Sequence, residues 1–251
     1  MIILGHRIPM AASLLVWAVA WEVVGRLHLS FLLPPLSSVL VTMVEIVPTH
    51  TFLAALWITA YAFFGGLLIA IAVGVPLGLL IGQSVIADRI FLPWVNLFLA
   101  APLTALVPVI MVLFGLGQTT IVLTVVLFAI WIIVLDTRAG VQSVAPSLVE
   151  MAWSFGASRR IIFRRIYFWS ALPEILAGVR VGVLRAVKGV IIGQLLVTII
   201  GFGALFQTYS SGFMMEEFWA ALLVLLTCAF IFDEGLGWLQ RRVAYYASSR
   251  N

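Results

Sequence analysis

Long stretches with almost no charged residue are the feature that most constrains what this chain can fold into. Of its 251 residues, 64% are hydrophobic and only 10% are charged, whereas a soluble domain carries about 25% charged residues. So little polar surface does not cover a water-facing globule, and the sequence therefore predicts an all-α integral membrane protein. In such a chain the net charge of +4 sets the membrane topology, so we expect no nucleic acid among its partners.

The apolar stretches divide into six predicted membrane spans, since each span needs about 20 mostly apolar residues. An alternative for the first is a signal peptide, because His6 and Arg7 precede the apolar stretch and Ala18-Val19-Ala20 resembles a cleavage site. The apolar run continues through Trp21-Glu22-Val23-Val24, which favours a span. The predicted spans cover about 9–24, 54–81, 91–114, 119–135, 175–200 and 218–238.

Basic residues are distributed unequally between the two sets of connecting segments. With the N-terminus in the cytoplasm, only Arg26 falls outside, where Glu216 and Glu217 also lie. Because basic residues favour the cytoplasmic side, both termini and the loop of about Asp136 to Pro173 are predicted to be cytoplasmic. The residues on the inner side are Arg7, Arg89, Arg138, Arg159, Arg160, Arg164, Arg165, Arg241, Arg242 and Arg250.

Small residues and prolines mark special positions within the spans. Glycines at a spacing of four let helix backbones approach closely in lipid, so they predict packing faces on spans two and five. Prolines are predicted to interrupt spans two and three, and Pro102 in span three is a candidate for lining a path, with a simple kink as the alternative. The glycines are Gly74, Gly78, Gly82, Gly178, Gly182, Gly189 and Gly193, and the prolines are Pro76, Pro93, Pro102 and Pro108.

Residue types that bind metals or nucleotides are sparse. Cys228 is the single cysteine, and His6, His28 and His50 are scattered, so neither a disulfide nor a metal site is predicted. The single lysine, Lys188, is followed by Gly189 and Val190, which does not match the phosphate loop of an ATPase. We therefore expect no cofactor in this chain, and any ATP hydrolysis is assigned to another polypeptide.

A basic, amphipathic segment interrupts the apolar pattern between spans four and five. Arg159, Arg160, Arg164 and Arg165 recur at helical spacing with apolar residues between them. Pro146 suits the first turn of a helix, Glu150 suits the positive end of its dipole, and Gly156 suits a tight turn or a close approach. The charge pattern alone also fits a basic interfacial helix that merely anchors the topology.

The spacing within this segment resembles the cytoplasmic signature of binding-protein-dependent ABC importer permeases. The matching residues are Glu150-Met151-Ala152, then Gly156, then Ile166 and Leu172-Pro173, with Met151 in place of the family's alanine. Further resemblances are Leu33-Pro34-Pro35 with Val39-Leu40, 113–117 and 201–205. Within the family, the chain is most similar to permeases of the nitrate, sulfonate, taurine and bicarbonate type.

The resemblance implies a fold, a location and partners. It implies a single permease domain over 1–251, with the type I ABC importer fold of about six transmembrane helices, in the bacterial inner membrane. The chain would not be an enzyme, because ATP and Mg²⁺ would bind a separate ATP-binding cassette subunit. A second copy of the chain and an extracytoplasmic binding protein would complete the transporter. The residues implied to couple it to the ATPase, within the loop 136–173, are Glu150, Ala152, Gly156, Ala157 and Ser158.

Charged residues inside span five bear on the substrate. Arg185 and Lys188 lie three residues apart, so they share a helix face, and Gln194 follows further along. Intramembrane cations usually face a cavity or a partner, which favours a path for an anion; a structural ion pair or a snorkelling lysine is the alternative. Permeases of the resembling type commonly have an apolar residue where this chain has Lys188, and often a glutamate where it has Gln194. The local electrostatic field is therefore more positive in this chain.

These features predict a transport subunit that forms the translocation path for a small anionic solute such as a sulfonate, taurine or nitrate. The candidate path residues are Pro102, Arg185, Lys188 and Gln194. An alternative within the family is another small solute, such as a pyrimidine precursor. Alternatives from other classes are an ion-gradient secondary transporter, which leaves the cytoplasmic motif unexplained, and a membrane scaffold whose basic loop binds a signalling partner.

Overall fold

The computed structural model describes residues 2–3, 6–7, 10–27, 29–197 and 199–248. Pro9, His28 and Arg250, which enter the predictions above, lie outside these residues. Two β-segments of two residues each, β1 (Ile2–Ile3) and β2 (His6–Arg7), pair antiparallel. The remaining regular structure is helical, in agreement with the predicted all-α class.

Eleven α-helices follow one another in the described part of the chain. A 3₁₀ turn, Leu103–Leu106, precedes α5, and a π turn, Phe163–Tyr167, joins α8 to α9. The helices are α1 (Met10–Arg26), α2 (Leu36–Ile46), α3 (His50–Gln83), α4 (Val85–Ala100), α5 (Val107–Phe114), α6 (Gln118–Gln142), α7 (Pro146–Ser154), α8 (Arg159–Ile162), α9 (Phe168–Val197), α10 (Gly201–Ser211) and α11 (Met215–Ser248).

The six predicted spans correspond to helices of three kinds. Helices α3, α6 and α11 are each long and apolar enough to cross a membrane unbroken. Two further crossings are possible as bent pairs: α4 with the segment 103–114, at 98°, and the segment 159–197 with α10, at 55°. Helix α1 has 17 residues, or about 25 Å, which is at the lower limit for a span.

Two of the predicted spans differ from the observed elements. Span three is not a continuous helix over 91–114, because the chain breaks at Ala101–Pro102, where the helix direction changes. Span five begins earlier than predicted, at Phe168, and ends at Val197. The predicted loop of 136–173 is consequently shorter, since α6 continues to Gln142 and α9 already contains Pro173.

Only one of the four prolines in spans two and three coincides with a break. Pro76 and Pro93 lie inside the continuous helices α3 and α4, so the prediction that they interrupt those helices is wrong. Pro108 lies in the first turn of α5, where its missing N–H leaves no helical hydrogen bond unmade. Pro102 stands between α4 and the 3₁₀ turn, because proline removes a helical donor and restricts the residue before it.

Helix α6 is the central element, and both predicted glycine faces pack against it. A Cβ on Gly78 would lie 2.6 Å from the Cβ of Thr137, and Gly74 and Gly82 also face α6. On the other side of α6, a Cβ on Gly182 would lie 2.8 Å from Ile133. The predicted packing faces are confirmed, and the main apolar core lies where α3, α6 and α9 meet.

The junction between α9 and α10 also requires close backbone contact. Gln194 is buried in α9, and its Nε2 donates to Thr59 Oγ1 of α3 at 2.8 Å. A Cβ on Gly203 would lie 2.0 Å from the carbonyl oxygen of Gln194, so only glycine fits there. Gly201 has a φ of +64°, the left-handed region that favours glycine. These contacts hold the bend between the two helices.

Helices α1 and α2 join at the end of the bundle opposite α7. The Glu22 carboxylate accepts hydrogen bonds from the backbone N–H and the hydroxyl of Ser37, at 2.9 and 2.8 Å, and pairs with Arg26. It thereby caps the N-terminus of α2, where a negative charge is favoured. Trp21 Nε1 donates to the carbonyl of Pro34 at 3.0 Å, which anchors the connecting segment.

Candidate coupling loop and translocation path

The segment that carries the cytoplasmic motif folds as a short helix followed by a glycine turn. Gly156 ends α7 with a φ of +74°, while its N–H donates to the Trp153 carbonyl at 2.9 Å and the Ala157 N–H donates to the Ala152 carbonyl at 3.0 Å. This is the Schellman arrangement, which needs a left-handed residue after the helix. No heavy atom lies within 4 Å of a Cβ built on Gly156, apart from its own chain neighbours, so its backbone conformation is what requires glycine.

Helix α7 presents apolar side chains to its surroundings. None of its residues is buried, and Phe155, which follows it, is 84% exposed. A cluster of large exposed apolar side chains on a loop marks a surface for a protein partner. Sequence reasoning selected Glu150, Ala152, Gly156, Ala157 and Ser158 by their spacing and missed this apolar cluster, although its residues are interleaved with the motif. The cluster consists of Leu148, Met151, Trp153 and Phe155.

The motif's five selected residues are brought together in one loop. Glu150 is exposed on α7, and its carbonyl accepts a hydrogen bond from the Ser154 hydroxyl at 3.0 Å. Ala152 is half-buried, and Ala157 completes the glycine turn. Ser158 caps the next helix, since its hydroxyl accepts from the Ile161 N–H at 3.4 Å. The motif residues therefore form the C-terminal end of α7, the glycine turn and the N-terminal cap of α8.

The basic helix after the turn is amphipathic, as predicted. Ile162 is buried and Phe163 is half-buried, whereas Arg160 and Arg164 are exposed. Helix α8, the π turn and α9 form one helical run from Arg159 to Val197. The run therefore joins the loop directly to the membrane-crossing part of α9.

Helix α9 carries an exposed stripe beside its glycine face, about 120° further around the helix. Val181, Leu184, Lys188 and Leu195 recur at helical spacing along the stripe, and all are exposed. Gly189, the residue after Lys188, packs on Phe128 of α6. Phe128 lies about 15 Å along the helix axis from the start of α6 and about 21 Å from its end. Lys188 therefore lies near the middle of the helix bundle. Among the described residues it forms no ion pair.

The predicted path residues fall into two groups. Pro102 is exposed and lies in the break between α4 and α5. The next residue, Leu103, is buried in an apolar core beside this break. Ile192, one turn after Lys188, packs against this core, so the break and the stripe are neighbours. Gln194 lies elsewhere: it is 1% exposed and bonded to α3, so the structure does not bring it together with Lys188.

The other intramembrane cations face acidic residues. Arg185 lies within electrostatic range of Asp136 on α6. Arg180 donates from Nε and Nη2 to Asp233 of α11 at 3.1 and 3.2 Å. Gly237 of α11 provides the space, because a Cβ there would lie 2.9 Å from Arg180 Nη2. Among the described residues, no three His, Cys, Asp or Glu side chains come together as metal ligands.

Comparison with known proteins decides the family. Residues 74–245 match the family model described as binding-protein-dependent transport system inner membrane component, and this range includes α6, the loop of α7 and the stripe of α9. The chain belongs to this family. It is therefore a permease subunit of an ABC importer, which decides against a secondary transporter and against a scaffold.

Individual relatives support the same assignment. The taurine transport system permease protein TauC of Escherichia coli is 29% identical over 92% of this chain and 86% of its own length. The riboflavin transport system permease protein RibX of Chloroflexus aurantiacus is 30% identical over 60% of this chain and 56% of its own length. The glycine betaine/proline betaine permease ProW of Escherichia coli is 34% identical over 52% of this chain and 37% of its own length.

Solved structures confirm the fold. The MetNI methionine ABC transporter matches with a TM-score of 0.64 at 19% identity, over 74% of this chain and 93% of that chain. An amino acid ABC transporter crystallised with histidines matches with a TM-score of 0.66 at 19% identity, over 80% and 97%. The type I importer fold is thereby confirmed. The chain is a multi-pass inner-membrane permease and not an enzyme, and ATP is hydrolysed on a separate subunit.

Proposed function

We propose that this permease forms the translocation path for a small anionic solute, of the sulfonate, taurine or nitrate class, delivered by an extracytoplasmic binding protein. The observation that carries the proposal is Lys188, an exposed cation near the middle of the bundle on an otherwise apolar stripe. A lysine at this depth is costly in lipid and is retained where it faces a polar path or a partner. The similarity to the taurine permease agrees with an anionic or zwitterionic solute.

Two copies of the chain enclose the path in this proposal, because one exposed stripe forms only one wall. The stripe of α9 and the break at Pro102 lie side by side, and both expose surface that a second copy would cover. Arg185 contributes to the positive field from the edge of the stripe, opposite Asp136. Gln194 holds the α9–α10 bend and affects the path only indirectly.

The loop of α7 is proposed to fit a groove on the ATP-binding cassette subunit, which holds ATP and Mg²⁺. The supporting observation is the exposed apolar cluster Leu148, Met151, Trp153 and Phe155 beside Glu150. Nucleotide binding would move this loop, and the continuous helix from Arg159 would carry the movement into the path. The distribution of arginines supports a cytoplasmic position for both termini and for this loop.

Solute binding to the partner binding protein and uptake by the reconstituted complex test the proposal. Taurine, nitrate, glycine betaine and a pyrimidine precursor are compared as ligands of the binding protein. We expect the anionic or zwitterionic sulfonate class to bind, and exclusive binding of a neutral solute would overturn the substrate assignment.

The contribution of Lys188 is tested with two variants in the same uptake assay. Lys188→Met should reduce uptake severalfold while leaving assembly and basal ATP hydrolysis intact, and Lys188→Arg, which keeps the charge, should retain more uptake than Met. A Met variant that does not assemble would indicate a structural ion pair, since stranding a buried partner costs about 3–5 kcal/mol. Normal uptake by the Met variant would show that the lysine lies outside the path.

A further inference from the structure

Helix α4 makes few contacts with the rest of the molecule. One of its sides is exposed along its whole length, including Ile86, Ile90 and Trp94. Its contacts with the bundle lie at three levels: Asp88 at its start, buried Val95 in its middle, and Phe98 near its end. Phe98 stacks on Trp131 of α6, with the ring centroids 4.2 Å apart. The helix therefore contacts α3 and α6 at separate levels along one of its sides and leaves the other side uncovered.

Both ends of α4 are joints. Ser84 alone separates α4 from α3, with an extended backbone at φ −118° and ψ 113°, and its hydroxyl accepts from the Ala87 N–H at 3.2 Å. The other end meets the 98° bend at Ala101–Pro102 that borders the proposed path. Element-terminal residues of this kind absorb the dihedral changes of hinge motions. Helix α4 can therefore tilt while α3 and α6 stay packed through their glycines.

The contact at the start of α4 is a two-pronged ion pair with α6. Arg138 donates to Asp88 from Nε at 2.5 Å and from Nη2 at 2.9 Å. Paired, parallel bonds of this type fix orientation as well as distance. Asp88 also lies in the first turn of α4, where its charge is favoured by the helix dipole. The pair therefore holds α4 at a defined angle to α6.

Arg138 lies one turn before the end of α6, next to the coupling loop. The segment 143–145 joins α6 to α7, and it is tightly hydrogen-bonded: the Ser143 hydroxyl donates to the Gly140 carbonyl at 2.9 Å and the Val144 N–H to the Val141 carbonyl at 3.4 Å. Such a connection transmits displacement instead of absorbing it. Movement of α7 therefore reaches Arg138 before it reaches the core of the bundle.

We propose that the Asp88–Arg138 ion pair transmits the movement of the coupling loop to α4, and thereby to the bend at Pro102. The inference rests on the proposed coupling role of α7. Asp88 and Arg138 are positioning residues in this scheme, because neither touches solute or nucleotide. The ion pair makes α4 follow α6 at its base, so the bend opens or closes with the nucleotide state of the ATPase.

Cysteine labelling of α4 tests the proposal without knowledge of the solute. Asn96, which is exposed on α4, is changed to cysteine in a Cys228→Ala background, and the complex with its ATP-binding cassette subunit is purified. The rate of labelling by a water-soluble maleimide is measured without nucleotide and after trapping with ATP and vanadate. With the ion pair intact we expect a severalfold difference between the two states, and an equal rate would overturn the proposal.

The decisive variant is Asp88→Asn, which should abolish the nucleotide-dependent difference while ATP hydrolysis continues. The exchanged pair Asp88→Arg with Arg138→Asp should restore the difference, which a purely local packing role would not predict. Asp233→Asn is the matched control, because it breaks the other two-pronged pair, Arg180–Asp233, and should leave the labelling of Asn96→Cys responsive. An unchanged response in Asp88→Asn, or equal loss in Asp233→Asn, would overturn the proposal.

A crosslinking experiment distinguishes failure of the ion-pair transmission from failure of the proposed coupling role of α7. A cysteine placed at Ser154 on α7 should crosslink to the ATP-binding cassette subunit both with and without the Asp88→Asn change. If the crosslink forms and Asn96→Cys does not respond even with the ion pair intact, only the transmission step is wrong. If no crosslink forms and the two subunits do not copurify, the role of α7 itself is wrong.

Discussion

Single glycines in this permease serve two different physical needs. Gly156 has a left-handed backbone and open space around it, so its conformation is what excludes other residues. Gly203 has the opposite situation, since a Cβ there would meet the Gln194 carbonyl at 2.0 Å. A sequence shows both simply as glycine. The distinction determines which substitutions each position accepts.

At Gly156 we expect two properties of a substituted residue to determine how well the permease couples to the ATPase. One is how readily the residue adopts a positive φ, and the other is whether its side chain fits the partner's groove. Gly156→Asn should keep most of the coupling, because asparagine adopts the left-handed region readily, at less than the usual cost of about 1–2 kcal/mol. Gly156→Glu should abolish transport without preventing membrane insertion. Copurification of the ATPase and stimulated ATP hydrolysis are the measurements.

The space around Gly156 makes this comparison informative. Nothing in the permease itself blocks a larger side chain there, so any loss in the Glu variant beyond the strain of a positive φ reports on the partner. Normal stimulated hydrolysis in Gly156→Glu would contradict the assignment of the loop to the ATPase groove.

At the scale of elements, the packing of α3 and α9 on α6 organises the molecule. The contacts are close because glycines face α6 from both sides, and the hydrophobic effect does not drive helix association in lipid. Helix α4, by contrast, is fixed at a few points and bounded by two joints. The permease thus consists of a closely packed three-helix frame and a less tightly packed α4, which is the part that moves in the proposed transmission.

We expect Gly78→Ala to destabilise the frame. The added methyl group would lie 2.6 Å from the Cβ of Thr137, and overpacking of this kind costs about 1–3 kcal/mol. Gly65→Ala is the matched control on the same helix, because a Cβ there meets nothing within 4 Å. Thermal unfolding of the purified protein in detergent should show a lower Tm for Gly78→Ala and an equal or higher one for Gly65→Ala. Equal Tm values for the two variants would contradict the tight packing of α3 on α6.

At the scale of the whole molecule, the two ends of the bundle differ in character. One end carries α7 and the exposed arginines that follow it, whereas the other carries α2, Glu45 and Glu216, with a polar hollow between them. Thr42 donates to the Glu216 carboxylate at 3.2 Å and fixes one wall of this hollow. The asymmetry agrees with a cytoplasmic side for the ATPase and an outer side for the binding protein.

Labelling from either side of the membrane checks the orientation. In a Cys228→Ala background, Arg160→Cys should react with an impermeant maleimide only after the membrane is permeabilised, because the arginine-rich loop is expected to be cytoplasmic. Glu45→Cys is the counterpart at the other end and should react in intact cells. Reversed labelling of the two positions would overturn the topology.

Much of the fold and of the site could be predicted because the signals are local. Apolar length predicted the spans, glycine spacing predicted the faces on α6, and the motif around Glu150 and Gly156 predicted the short helix and glycine turn for which the coupling role is proposed. The family followed from the same residues.

The remaining features depend on contacts between residues that are distant in the sequence. Pro76, Pro93 and Pro102 look alike in the sequence, but only Pro102 breaks a helix. Tertiary packing maintains the helix across the other two. In the sequence, Gln194 and Lys188 look equally suited to a path. In the structure they lie on different faces of α9, so Gln194 is buried against Thr59 whereas Lys188 is exposed. The sequence by itself determined which segments are apolar enough to enter the membrane and which loop carries the family motif, because hydropathy and motif spacing are local. Only the tertiary structure decided which side chains of α9 are buried or exposed and which side chains hold α4, because these depend on how helices rotate and pack against one another.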